Sequence, residues 1–223
     1  MKRIFNMRVR KKKNGDARYE ACQSLFIEFD KENPEKLSLS ELFPGFTHFR
    51  AEIGCGKGTF ITETAKRNPD VAFLAVEKVR DVVIFASEKV QAENLPNVRF
   101  ICGDAAALTA LLDEKSLETI YINFCDPWPK ARHAKRRLTS EGFLRLFKDL
   151  LADEGKIEFK TDNIGLFEFS LEEFPKAGYE MRDVCFDLHA SKWAESNVQT
   201  EYERNFSAKG FKINRLEAFK AEK

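Results

Sequence analysis

The chain has 223 residues, 43% of them hydrophobic and 33% charged, with a formal net charge of +1. That length favours one domain with a modest extension, and the apolar share, including 21 Phe, is enough for a sizeable core. No apolar run reaches the roughly 18–20 residues of a membrane span and none follows the basic start as in a secretory signal, so a membrane partner is not expected and a cytoplasmic chain is.

Residues 1–13 hold seven Lys/Arg and no acid, and residues 1–15 read as a flexible basic start. Tyr19, Cys22, Leu25, Phe26 and Phe29 recur at helical spacing within 16–30, and the Asn33-Pro34 and Pro44-Gly45 breaks make 31–46 a connector. We therefore divide the chain into a basic N-terminus with helix and connector, 1–46, and one larger domain, 47–223. In that domain strands and helices alternate. His48–Ile53 is a strand, Gly54–Gly58 a glycine turn, Thr59–Arg67 a helix and Val71–Val76 a strand. Arg80–Asn94 is a helix, Val98–Cys102 a strand, Ala105–Leu112 a short helix and Thr119–Phe124 a fourth strand. Thr139–Leu151 is a helix with Thr139 as N-cap and Glu141 in the first turn. Lys156–Lys160 is a strand and Gly165–Ala177 a helix. Tyr179–Leu188 and Phe211–Phe219 close the chain as strands, with a helix at Thr200–Lys209 stopped by Gly210 between them. The alternation predicts an α/β fold with a mostly parallel, doubly wound sheet, whose ligands sit at the carboxyl ends of the strands.

Chemistry-bearing residues fall at those ends. Glu52 precedes the turn Gly54-Cys55-Gly56-Lys57-Gly58, whose glycine spacing is not that of a dinucleotide fold. An acid there suits an ammonium group, which a pyrophosphate lacks. Glu77 ends the second strand, 21 residues beyond Gly56, where a nucleoside-binding fold places an acid for two ribose hydroxyls. Asp104 follows the third strand, where it can accept from an adenine amino group. Beyond the fourth strand, Pro127 and Pro129 stiffen the backbone around Asp126 and Trp128. Lys130, Arg132, Lys135, Arg136 and Arg137 follow within eight residues, interrupted by His133 and by no acid. Removing these five and the seven at the N-terminus leaves 25 Lys/Arg against 36 Asp/Glu, or −11, so two positive zones sit on an acidic body. A fixed acid and an aromatic beside a basic loop suit a nucleobase on a phosphate backbone. Trp128 suits either stacking on a base or packing under the loop. Five cysteines without a Cys-x-x-Cys pair give no sign of zinc, another obligatory metal or disulfides.

The stretches E-I-G-C-G-K-G, G-D-A and F-C-D-P-W-P-K-A-R-H-A-K-R-R, with the strand-end Glu77, resemble the bacterial tRNA (guanine-N7-)-methyltransferases, the TrmB family. Lys160-Thr161-Asp162-Asn163 and the T-x-Y-E element at Thr200–Glu203 match as well, and Met7–Arg10 is similar to the family's start. The resemblance runs from about residue 48 to the C-terminus. It implies a seven-stranded, Rossmann-like class I methyltransferase sheet whose last strand is antiparallel. It also implies S-adenosyl-L-methionine as donor, S-adenosyl-L-homocysteine as product, and the variable-loop guanine of tRNA as acceptor. The family's cofactor positions fall on Glu52, Gly54, Gly56, Gly58, Glu77, Asp104 and Asp126. Its substrate positions fall on Lys130, Asp162, Thr200, Glu201, Tyr202 and Glu203, and its RNA-contacting loop on Arg132, His133, Lys135, Arg136 and Arg137.

Residue types fit that chemistry. Guanine N7 carries an in-plane lone pair and needs no deprotonation, and none of His48, His133 and His189 stands in a triad-like pattern. Catalysis then rests on alignment, with a carboxylate on the guanine N1/N2 edge as electrostatic help. Asp126 is the first candidate for that carboxylate and Asp162 the second. An amino methyltransferase would carry its aromatic fourth in the Pro-containing tetrad, whereas here Trp128 stands third. An RNA-binding module with a degenerate cofactor site is opposed by the intact acids and glycines. Monomer and homodimer are equally compatible with the sequence.

Overall fold

The computed structural model describes residues 14–221; the basic stretch 1–13 and the Met7–Arg10 segment lie outside the described residues. In chain order these residues form α1 (Gly15–Ala21), α2 (Leu39–Leu42), β1 (His48–Ile53), α3 (Thr59–Arg67), β2 (Val71–Glu77) and α4 (Arg80–Ala92). There follow β3 (Val98–Cys102), α5 (Leu108–Leu111), β4 (Leu117–Asn123), α6 (Glu141–Leu150), β5 (Leu151–Thr161) and α7 (Ile164–Lys176). The chain closes with β6 (Tyr179–Cys185), α8 (Glu201–Ser207) and β7 (Asn214–Lys220). The strands form one sheet in the order β3-β2-β1-β4-β5-β7-β6. β1 to β5 pair in parallel, and β7 runs antiparallel to both β5 and β6. This is the seven-stranded class I methyltransferase sheet with its antiparallel last strand.

Period-two alternation divides the sheet's faces. Ala51, Ile53, Leu74, Val76, Ile120, Ile122, Ile157, Phe159 and Leu216 point to one face, under α5, α6 and α7, and make a continuous apolar core. On the opposite face the apolar residues come mainly from β2 and β3, joined by Tyr121 of β4. There Phe73, Ala75 and Phe100 meet Phe60, Ile61 and Ala65 of α3 and Val83, Ala86 and Val90 of α4. The same face of β1, β4, β5 and β7 carries Glu52, Asn123, Glu158, Lys160, Arg215 and Glu217. A polar half-face beside an apolar one leaves room for a site next to α3.

Several boundaries depart from the sequence reading. The 16–30 helix ends at Ala21; Phe26 then bridges Phe100 and the Ile27 N–H donates to the Phe100 carbonyl at 2.8 Å, so an added strand-like contact replaces the helix's second half. Cys22 and Phe26 are both buried, joined by a 3-10 turn at Gln23–Leu25. The 31–46 connector contains α2, capped by Ser38. Thr139 is not an N-cap: α6 starts after Ser140, and the buried Thr139 hydroxyl accepts from Ser170 at 2.7 Å. Residues Ala131–Arg136 form a 3-10 turn. β6 is an edge strand whose register with β7 shifts between Arg182 and Cys185, around Asp183 at φ 53°.

Candidate cofactor and nucleic-acid site

β1 ends on a glycine turn because the chain must reverse into α3 at once. Gly54 (φ 80°) and Gly56 (φ 55°) take left-handed conformations with no side chain within 4 Å of a would-be Cβ, which leaves an open cradle. Gly58 serves another purpose. A Cβ there would lie 2.5 Å from the Ala86 Cβ, so its lack of a side chain lets α3 and α4 meet.

Glu52 is 1% exposed. Its Oε1 accepts from Asn123 Nδ2 at 3.0 Å, while Oε2 is buried with no partner. Burial pushes this carboxyl up to about 8, against the Asn123 hydrogen bond and the nearby Lys160 charge. A buried acid with a free oxygen is incomplete without a donor, and the ammonium end of an amino-acid ligand is such a donor. Glu77 is engaged differently: Oε2 accepts from the Gly56 N–H at 3.1 Å and Oε1 from the Val79 N–H at 2.9 Å. It therefore clamps the glycine turn to the end of β2. Asp104 accepts from the Ala106 N–H and from Lys78 Nζ at 2.7 Å, and the Lys78 bond holds its carboxyl below the ordinary value.

Beyond β4 the Phe124 N–H still bonds the Lys160 carbonyl at 2.9 Å. The chain then turns through Phe124 (φ 53°) and Trp128 (φ 39°), conformations uncommon for non-glycine residues and frequent at functional turns. Asp126 sits exposed on this turn. Trp128 packs within the loop: His133 meets it edge-on at 5.6 Å, and the Arg136 guanidinium lies 5.0 Å from its ring. Lys130, Arg132, Lys135 and Arg136 are exposed. Arg137, expected in the RNA-contacting loop, is half-buried. Its Nε donates to the Pro127 carbonyl at 3.0 Å and its Nη2 to the Trp128 carbonyl at 3.1 Å, with the guanidinium 4.2 Å over Phe169. It braces the Asp126 turn from inside.

The T-x-Y-E element is split by burial. Thr200 is the N-cap of α8, accepting from the Glu203 N–H at 2.8 Å. Tyr202 is exposed, and its hydroxyl donates to Asp162 Oδ2 at 3.3 Å. Burial raises the half-buried Asp162 carboxyl. Glu201 is exposed and pairs with Lys57 of the glycine turn at 3.2 Å. Glu203, a substrate position by the resemblance, is wholly buried. Lys160 Nζ donates to its Oε2 at 2.9 Å, Asn197 donates to Oε1, and His189 Nε2 lies 3.1 Å from Oε1, off the hydrogen-bonding axis. Lys160 also donates to Asn197 Oδ1 and the Val198 carbonyl, both at 2.9 Å, and lies 5.1 Å over Phe60.

Asn123, Lys160 and Asn197 were missed as site residues. Asn123 and Lys160 had a signal: each is a polar residue closing an apolar strand. Asn197 had none, since only the fold brings it to Lys160. Below them a cavity of about 440 Å³ opens between α3, the polar half-face and residues 188–198, lined by Phe60, Tyr121, Asn123, Lys160, Trp193 and Arg215.

A family profile described as a putative methyltransferase matches residues 47–216. The tRNA (guanine-N(7)-)-methyltransferase of Brevibacillus brevis is 47% identical over 80% of this chain and 83% of its own length. That of Streptococcus uberis is 42% identical over 96% of this chain and all of its own. This chain belongs to the tRNA (guanine-N7-)-methyltransferase family. The fold has wider company: Haemonchus contortus phosphoethanolamine N-methyltransferase 2, in complex with S-adenosyl-L-methionine, superposes with a TM-score of 0.52 at 14% identity, over 82% of this chain and 51% of the other. Within the methyltransferase family's fold, the strand ends gather Glu52, Glu77, Asp104 and Asp126 on one rim, with α8 and the basic turn beside it. Among the described residues, no helix is long and apolar enough to cross a membrane.

Proposed function

We propose that this protein transfers a methyl group from S-adenosyl-L-methionine to N7 of a guanine in the variable loop of tRNA, acting in the cytoplasm. The observation that carries the reading is the unpartnered, buried Glu52 oxygen, joined on the same rim by Asp126 and an exposed basic turn. The bound cofactor supplies an electrophilic methyl group on a sulfonium.

The chain's own residues supply position and field. Glu52 takes the ammonium end, the turn at Gly54–Gly58 leaves backbone space, and the clamped Glu77 keeps spare lone pairs for ribose hydroxyls. Asp104 stands at the adenine end. Lys130, Arg132, His133, Lys135 and Arg136 hold phosphates and fix the register of the RNA. Asp126 accepts from the guanine N1/N2 edge. As N7 becomes alkylated the ring turns cationic, its N1–H grows more acidic, and this hydrogen bond strengthens, so the interaction favours the transition state over the ground state. Asp162, held by Tyr202, supports the opposite side of the base. Alignment of this kind supplies on the order of 7–11 kcal/mol in favourable cases.

The test is product mapping on unmodified tRNA with labelled cofactor, reading N7-methylguanine by aniline cleavage after borohydride reduction. Cleavage at one variable-loop guanine is the expected result. A methyl group on an adenine or on an exocyclic nitrogen would overturn the reading.

A further inference from the structure

A row of aromatic rings leads away from the Asp126 turn. Phe124 and Tyr202 have ring centroids 5.1 Å apart. Tyr202 stacks on Phe206 at 4.0 Å and 15°, and Phe206 meets Phe211 at 5.4 Å. The row follows from sequence: 202 and 206 are one turn apart on α8, and the Phe211 N–H returns to the Phe206 carbonyl at 3.2 Å. Holding the C-terminal end of α8 in place explains Phe206, which is half-buried. It does not explain Phe211, which is 51% exposed, or Tyr202, at 41%. Large apolar rings left in water in a line mark an interaction surface.

The charges around the row select the partner. Lys209 Nζ lies 5.1 Å over the Phe206 ring, and the exposed Lys212 follows Phe211 in the chain, its ammonium 3.3 Å from Asp187. Rings flanked by cations fit unpaired nucleotides, whose bases have two π-faces and whose phosphates are anionic. At its inner end the row meets the Asp126 turn through Phe124, and the next ring, Tyr202, is bonded to Asp162 of the proposed base site. A nucleotide next to the target guanine would therefore leave the site along this row.

We propose that Phe206 and Phe211 extend the site as a stacking track for an unpaired tRNA nucleotide flanking the methylated guanine. This rests on the methyl-transfer reading above. A base laid on the free face of Phe211 would hold the loop open while the target base is engaged. The track reads no sequence, because any base can stack there.

The experiment compares Phe211→Ala and Phe211→Tyr with the parent protein on unmodified tRNA. It measures the tRNA dissociation constant, kcat at saturating tRNA, cofactor binding, and quenching of 2-aminopurine placed at each position flanking the target guanine. Phe211→Ala should weaken tRNA binding about tenfold, with kcat, cofactor affinity and salt slope unchanged, and should abolish quenching at one flanking position. Phe211→Tyr should restore both affinity and quenching. Parent-like affinity and quenching in Phe211→Ala, or lost affinity that Phe211→Tyr does not restore, would overturn the track. If the parent itself made no N7-methylguanine, the activity reading would fall first, and with it the track.

Discussion

Lys160 Nζ stands 2.9 Å from Glu203 Oε2, and both side chains are buried, at 6% and 0% exposure. This pair ties α8 to the end of β5, and so fixes Tyr202 opposite Asp162. Burial lowers the affinity of Lys160 for its proton, and Glu203 is the main opposing influence. Removing one partner leaves a buried charge unpaired, so Lys160→Met and Glu203→Leu should each destabilise the protein by about 3–5 kcal/mol. The double variant should lose far less than the sum. Urea unfolding of all four proteins, analysed as a double-mutant cycle, measures this.

Asp126→Asn keeps the shape of the turn and removes the charge. It should lower single-turnover methyl transfer by roughly 100-fold or more, while tRNA affinity stays within threefold. Filter binding alongside rapid-quench kinetics separates the two effects.

Glu52 gives a pH dependence whose sign follows from its raised carboxyl, near 8 without cofactor. At pH 7 the acid must shed its proton to take the ammonium, so cofactor binding should release a proton and tighten as pH rises toward 8. Above about 8 the ligand's own α-amino group, ordinarily near 7.7–8.0, loses its proton and the gain ends. Calorimetry at pH 7 in two buffers of different ionisation enthalpy reads the release, which Glu52→Gln should abolish. A carboxyl raised in the folded state stabilises the fold fully below its ordinary 4.5 and loses that contribution as pH climbs through 8. Glu52→Gln should therefore stabilise the cofactor-free protein at pH 9, by about 5 kcal/mol at most, while weakening the cofactor.

Arg137 and its basic neighbours should part company. Arg132→Ala and Lys135→Ala should each flatten the salt dependence of tRNA binding by about 0.7–0.9 in log–log slope per lost phosphate contact. Arg137→Ala should leave the slope alone and lower kcat, because it frees the Pro127 and Trp128 carbonyls that it holds.

Gly58→Ala should be the most damaging of the loop's alanine substitutions. It puts a methyl 2.5 Å from the Ala86 Cβ at φ 79°, whereas Gly54→Ala meets nothing within 4 Å. Thermal melts should show a loss of about 2–4 kcal/mol for Gly58→Ala and about 1 kcal/mol for Gly54→Ala.

The sheet could be read from the chain because apolar strands and glycine breaks are local signals, and α3 and β3 begin and end where their patterns do. The rim acids were legible for the same reason: Glu52 and Glu77 lie at the ends of their strands, and Asp104 and Asp126 just beyond theirs. What stayed hidden depends on distance in sequence. Glu203 has the look of a helix-surface acid until Lys160, 43 residues away, draws it inside. Arg137 is indistinguishable in a run of cations from those that face outward; only the backbone carbonyls folded beneath it set it apart. The helix proposed for 16–30 failed because Phe26 gains more from bridging Phe100 at the sheet edge than from another helical turn.

That bridge has a counterpart at the far side of the sheet. The outer margin of β3 is covered by the strand-like contact of Phe26 and Ile27, and the outer margin of β6 is bent by its shifted register at Asp183. Neither margin offers a straight ladder of free amides and carbonyls to another chain. Among the described residues, both edges of the sheet thus disfavour open-ended strand-to-strand pairing.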